Sequence, residues 1–199
     1  MFSLKRSICL LSTLTLTVSL FSGCANAPNA QLEAAREAIK TAKDAEADKY
    51  MANNYNNLLK ALEASEEEMA TQNESPFFAR RYKVAKTMLE KTTALAQEVT
   101  KEAPQAKERF IALVKENIPI AKENLATSAK SIANVAKTKD KEVVEELKAE
   151  LSAADTIMTA AIKDSEAGDF FSASARIDSI QATVKMITET LKPKDENAM

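Results

Sequence analysis

The run "FARRYKVAKTMLEKTTALAQEVTKEAPQAKERFIALVKENIPIAKENLATSAKSIANV", residues 78–135, decides the fold. Phe78, Tyr82, Ala85, Leu89, Thr92, Ala96, Val99, Ala103, Ala106, Phe110, Val114, Ile118, Ala121, Leu125, Ser128, Ile132 and Val135 recur every three or four residues. That spacing lays them along one face of an α-helix. Pro104 and Pro119 lie inside the stripe. A proline in a helix interior costs about 3 kcal/mol and kinks the axis, so each is a candidate break. The stripe keeps phase through Pro104 and slips by one residue near Pro119, and a chain reversal has no need to preserve phase. The pattern therefore predicts one long kinked helix, roughly 90 Å if unbroken. Two helices joined by a turn is the alternative.

Outward from this stripe the same period continues. Toward the N-terminus a helix is predicted over residues 30–49, with Leu32, Ala35, Ile39, Ala42 and Ala45 inward. "YMANNYNN" (50–57) should interrupt it, because its four asparagines favour caps and turns. A second helix is expected over 55–72 with Tyr55, Leu58, Leu59, Leu62 and Met69 inward. "NESP" should then close it, Ser75 capping and Pro76 standing at a first helical position. On the other side "KTKDK" (137–141) reads as a charged turn. A helix to about Glu166 follows, carrying Val144, Leu147, Leu151, Ala154, Met158 and Ala161. Gly168 is placed to end it. The last helix carries Phe170, Ala173, Ile177, Ile180, Val184, Ile187 and Leu191, and residues 193–199 read as a flexible tail. No stretch alternates as a strand does. The expected fold is all-α, an elongated antiparallel helical bundle or coiled coil with one long kinked central helix.

The first 23 residues differ in kind. Lys5 and Arg6 precede an apolar stretch from Ile8 to Phe21, too short to span a bilayer, which takes about 20 apolar residues, and suited to a secretory signal. Phe21-Ser22-Gly23-Cys24 then resembles the cleavage region of a bacterial lipoprotein signal, with Phe21 where Leu is usual and Leu20 beside it. The resemblance implies cutting after Gly23 and acylation of Cys24 as the new N-terminus. Ala25 lacks the Asp that retains such proteins at the inner membrane, which implies the outer membrane of a Gram-negative bacterium. Residues 24–30 are then the lipidated cysteine and a short tether, and 31–192 the helical domain, divisible into hairpin units 31–103 and 104–192.

Composition narrows function mainly by exclusion. Cys9 would leave with the signal and Cys24 would be consumed by lipid, so disulfides, thiolate catalysis and Cys-metal sites are excluded. Histidine, the commonest general base and metal ligand, is absent. Gly168 is the only glycine after the signal, so there is no Gly-rich phosphate loop. The processed chain carries 25 basic and 29 acidic side chains, a net of −4, which argues against a nucleic-acid partner. No catalytic residue, metal or cofactor is expected.

Three further features invite a site. Glu63, Glu66, Glu67 and Glu68 are read as a solvated helix face that pairs across a hairpin, Glu68 with Arg81, Glu66 with Lys83 and Glu63 with Lys86. The pairs Phe77-Phe78 and Phe170-Phe171 are read as plugs for bundle ends, with a ligand mouth or partner contact as the sharper reading. "AGDFFSASA" (167–175) resembles the turn of a tetratricopeptide repeat, without the 34-residue period. A shift of 93 residues pairs Leu32 with Leu125, Ile39 with Ile132, Leu58 with Leu151 and Phe77-Phe78 with Phe170-Phe171; identities over the overlap stay near chance, so shared heptad spacing is preferred to duplication.

"LEAAREAIKTAKDAEADKY", "NNLLKALEASEEEMA" and "FFARRYKVAKTMLEKTTALAQ" together resemble an Ala-rich helical domain of unknown function found in Gram-negative envelope lipoproteins. That resemblance brings no catalytic residues. It implies a lipid-anchored, periplasm-facing protein with a structural or protein-interaction role, partnered by another envelope protein or by itself. Binding of a lipid or other apolar ligand between helices is the alternative.

Overall fold

Between residues 26 and 192, the part that this computed structural model describes, every regular element is a helix. The order is α1 (Asn29–Asp44), α2 (Ala47–Tyr50), α3 (Ala52–Glu74), α4 (Lys83–Val135), α5 (Lys141–Glu166) and α6 (Phe170–Leu191). α4 is a single helix of 53 residues that continues through both prolines. Pro104 and Pro119 sit on its exposed side. Each lacks one N–H and so cannot pair with the carbonyl four residues back, of Thr100 or Lys115, while the buried stripe runs on beneath.

Chain contacts divide the protein into two units, one through Ala106 and one from Lys107. In the first, α1, α2 and α3 pack with the opening turns of α4. One cluster joins Ile39, Ala42, Ala47 and Leu58 to Ala96, Val99 and Ala103; a second joins Ala35 and Met69 to Ala85 and Leu89. The alanines at 35, 42, 47, 85, 96 and 103 have no exposed surface. With only a methyl at each of these contacts, the side chains allow close helix approach. Buried Thr92 and Ser65 satisfy their hydroxyls on the carbonyls of Met88 and Ala61 one turn back, at 3.0 and 2.6 Å.

The second unit packs the rest of α4 against α5 and α6. Val114, Ala121 and Leu125 meet Ala154, Met158, Ala161, Ala173, Ile177 and Ile180, and a further cluster holds Ile132, Val144, Leu147 and Ile187. Asp140 caps α5 by accepting from the Glu142 amide at 2.9 Å, and Asp169 caps α6 by accepting from the Ser172 amide at 3.1 Å. Gly168 takes φ +82° between α5 and α6, a conformation that costs other residues a steric clash at Cβ. The Lys139 ammonium donates to the Thr190 carbonyl, tying the α4–α5 turn to the end of α6.

Four expectations are corrected. The first predicted helix is broken at Ala45-Glu46, where Glu46 takes a left-handed φ of 62°. The interruption expected within residues 50–57 is present at Met51, between α2 and α3, but the asparagines at 53, 54, 56 and 57 do not make it; they form the first turns of α3, held by burial of Leu58. Pro76 does not start a helix, because residues 76–82 form an irregular turn and α4 begins at Lys83. Helix α1 starts at Asn29, inside the expected tether, with Pro28 buried and Ala27 packed on the Ala85–Leu89 cluster.

Candidate functional site

Cys24 and Gly23, the residues assigned to lipidation and cleavage, lie outside the described residues. What the structure describes is where the chain leading from them enters the fold. The Asn29 amide donates to the Ala27 carbonyl at 2.8 Å and the Leu32 amide to the Pro28 carbonyl at 3.0 Å, so the helical path begins almost at once. Asn26, Ala27, Pro28 and Gln31 share a groove of about 320 Å³ with Tyr82, Lys83 and Lys86. The N-terminal entry therefore lies beside the α3–α4 connection.

That connection is short and firmly held. The Arg80 guanidinium donates to the carbonyls of Ser75 and Asn73, each at 3.0 Å. Gln72 Oε1 accepts from the Arg81 amide at 2.7 Å, and the Tyr82 hydroxyl donates to Asn73 Oδ1. Side chains on both flanks thus close the turn, which contains no glycine. Phe77 and Phe78 project from it 76% and 79% exposed, their rings edge-on at 5.7 Å. The expectation that this pair plugs a bundle end is corrected, as is the place of Phe78 at the head of the stripe: residues 76–82 are not helical, so the spacing no longer governs Phe78, and the buried stripe begins at Tyr82 and Ala85.

The second aromatic pair behaves differently. Phe171 stacks on Phe110 with centroids 4.7 Å apart and planes 27° apart. Phe170 packs against the core of its unit, with Lys115 Nζ 5.6 Å above its ring. Asp169, beside them, is held below the usual carboxylate range by hydrogen bonds from the Ser172 side chain and backbone, with Arg176 adding attraction.

The acidic stretch pairs with other partners than expected. Glu66 accepts from Arg36 of α1 at 2.8 Å, Lys86 lies 3.8 Å from Glu90 on its own helix, and Glu68 accepts from Gln72. An irregular turn at residues 76–82 stands where the expected register assumed a tight hairpin. These pairs are exposed and fix alignment more than they add stability. Among the described residues no group of three or more Asp, Glu, Cys or His is arranged to hold a metal ion. None of the described helices is long and apolar enough to cross a membrane.

Surface grooves run between helices in both units. The one between α1 and α4 has a volume of about 410 Å³ and is lined by Ala34, Glu37, Ala38, Thr41, Thr93, Gln97 and Thr100. Another, of about 230 Å³, lies between α4 and α6 and includes Asn124, Thr127, Ser128 and Thr188. Hydroxyls, amides and a carboxylate contribute to these walls beside the methyl groups.

The sequence pattern did not point to the turn network of Gln72, Asn73, Arg80 and Tyr82. The spacing gave no warning of it, since Phe78 stands four residues before Tyr82 and fits the stripe. Comparison with protein families, with curated proteins and with solved structures returns no match.

Proposed function

We propose that this chain is a lipoprotein of the Gram-negative cell envelope, anchored in the outer membrane through acylated Cys24, with its helical units on the periplasmic face. Its role there is structural or protein-interacting. The observation that carries the reading is the Phe21-Ser22-Gly23-Cys24 segment behind a basic and then apolar leader. Each acyl CH₂ buried contributes about 0.8 kcal/mol, and two or more chains hold a protein stably where one does not. The early packing of Ala27 and Pro28 fits such an anchor, because it leaves little chain between Cys24 and the first helix.

A scaffold is favoured over an enzyme by the lack of histidine and of any free thiol after processing. It is favoured over a carrier of apolar ligands by the core of each unit, where alanine, leucine and isoleucine side chains pack with no exposed surface. A carrier calls for a mostly apolar pocket of about 300 Å³ or more that encloses its ligand; the groove of about 410 Å³ between α1 and α4 is mostly apolar but open to solvent. Cys24→Ala is the direct test. The variant should lose palmitate labelling and leave the outer-membrane fraction; retention of either refutes the anchor.

A further inference from the structure

We propose that the Phe77-Phe78 turn is a membrane-insertion tip that enters the bilayer surface beside the lipid anchor, fixing one end of the first unit against the membrane. The inference rests on the Cys24 anchor and adds a second point of contact to it. Four observations converge on the turn.

The first is exposure. Phe77 and Phe78, at 76% and 79%, are the most exposed of the large apolar side chains in the described residues. Two adjacent aromatic rings held in water are costly, and exposed apolar groups clustered in this way mark interaction surfaces. The second is rigidity. Arg80, Gln72, Asn73 and Tyr82 pin the backbone on both sides of the pair. The rings are presented in a fixed direction, so insertion does not first have to order the loop.

The third observation identifies the occupant. Asn26 to Pro28 run against Tyr82, Lys83 and Lys86, at the turn's own end of the unit. Cys24 is two residues before Asn26, a covalent reach of at most about 7 Å. An acylated Cys24 therefore brings this end of the unit to the headgroup layer, where aromatic rings partition favourably. The fourth is charge. Arg80, Arg81 and Lys83 follow the aromatic pair within five residues and Glu74 precedes it, a local excess of cations although the processed chain as a whole is net negative. Apolar rings flanked by cations match an acyl boundary overlaid by lipid phosphates.

The chain has no tryptophan, so Phe78→Trp introduces a single indole at an exposed site, excited at a wavelength that the tyrosines do not absorb. Leu95→Trp supplies the control. Leu95 is 48% exposed on α4 in the same unit, about 18 Å of helix beyond Lys83. Each full-length variant is purified from membranes and its fold checked by circular dichroism. It is then reconstituted into vesicles of phosphatidylethanolamine and phosphatidylglycerol, with either plain or brominated acyl chains. Mass spectrometry of the Cys24 peptide reads the anchor separately. The expected result is an acylated Cys24, blue-shifted and quenched emission from Phe78→Trp in brominated vesicles, and unquenched emission from Leu95→Trp. Acylated, vesicle-bound protein whose Phe78→Trp emission ignores bromine overturns the insertion tip and leaves the anchor standing. Equal quenching at both positions overturns end-on seating. An unmodified Cys24 peptide overturns the anchor, and this inference with it.

Discussion

Replacing Pro104 by alanine should stabilise this protein, which is the opposite of what a proline at a chain reversal would give. Pro104 lies on the exposed side of α4, and the neighbours that carry the packing, Val99 and Ala103, are buried on the other side. The substitution therefore removes no core contact. It restores an N–H that can donate to the Thr100 carbonyl, a bond with a net contribution of about 1 kcal/mol. It also removes the ring's clash with that carbonyl; proline and alanine differ by about 3 kcal/mol in a helix interior. Against this, alanine loosens the unfolded chain by about 0.4–1 kcal/mol. The net expectation is a gain of about 2 kcal/mol. Urea unfolding followed by circular dichroism should give a higher midpoint with an unchanged slope, so that the shift reads as stability alone. Pro119→Ala should behave alike, and the double variant should be additive, since the sites are about 22 Å apart along the helix. A loss of 1 kcal/mol or more with Pro104→Ala would refute the continuous helix, because only a turn that uses the proline's φ has that much to lose.

Leu89→Ala should cost about 3 kcal/mol in chemical denaturation, because Leu89 is fully buried among Ala35, Ala85 and Met69, with Leu32 and Leu62 packed against them, and these neighbours can fill the void only in part; a cost below 1 kcal/mol would mean that the cluster is not packed. Gly168→Ala should cost about 1 kcal/mol through backbone conformation alone, since a Cβ there meets nothing within 4 Å, and Gly168→Asn should recover part of it; equal stability of all three would contradict the positive φ. The Asp169 cap titrates in acid: its folded value is depressed, so its contribution is complete above the ordinary carboxylate range and is lost as pH falls below it. Asp169→Asn should therefore flatten the acid limb of a stability–pH curve, and an unchanged limb would remove the cap from the account.

Much of the helical order was legible because burial here follows one period. Leu89, Thr92, Ala96, Val99 and Ala103 are buried where the three-and-four spacing puts them, and α5 and α6 end at Glu166 and Leu191 as their flanking residues suggest. What escaped was set by tertiary contacts or by rare backbone states. Nothing in a glutamate announces a left-handed conformation, so the break at Glu46 was invisible. The asparagine run looked like a turn by propensity, but helix propensities differ by only a few tenths of a kcal/mol per residue and burial of Leu58 outweighs them. The α3–α4 turn was misjudged because its closure depends on Arg80 and Tyr82 reaching back seven to nine residues. Adjacent aromatics carry no mark that says inside or outside. The Cys24 reading rests on a linear string alone, and Cys24 lies outside the described residues.

Two consecutive arginines in a surface turn are where a trypsin-like protease would be expected to cut first. Arg80 and Arg81 are an unpromising target all the same. A protease must draw several residues on each side of the bond into an extended strand, so cleavage requires the turn to open. Here opening breaks both Arg80 bonds to main-chain carbonyls, the Gln72 bond to the Arg81 amide and the Tyr82–Asn73 bond together. Cutting then proceeds at a rate set by the small population of the open form rather than by the exposure of the arginines. The network that aims two phenyl rings outward also protects the dibasic site beside them.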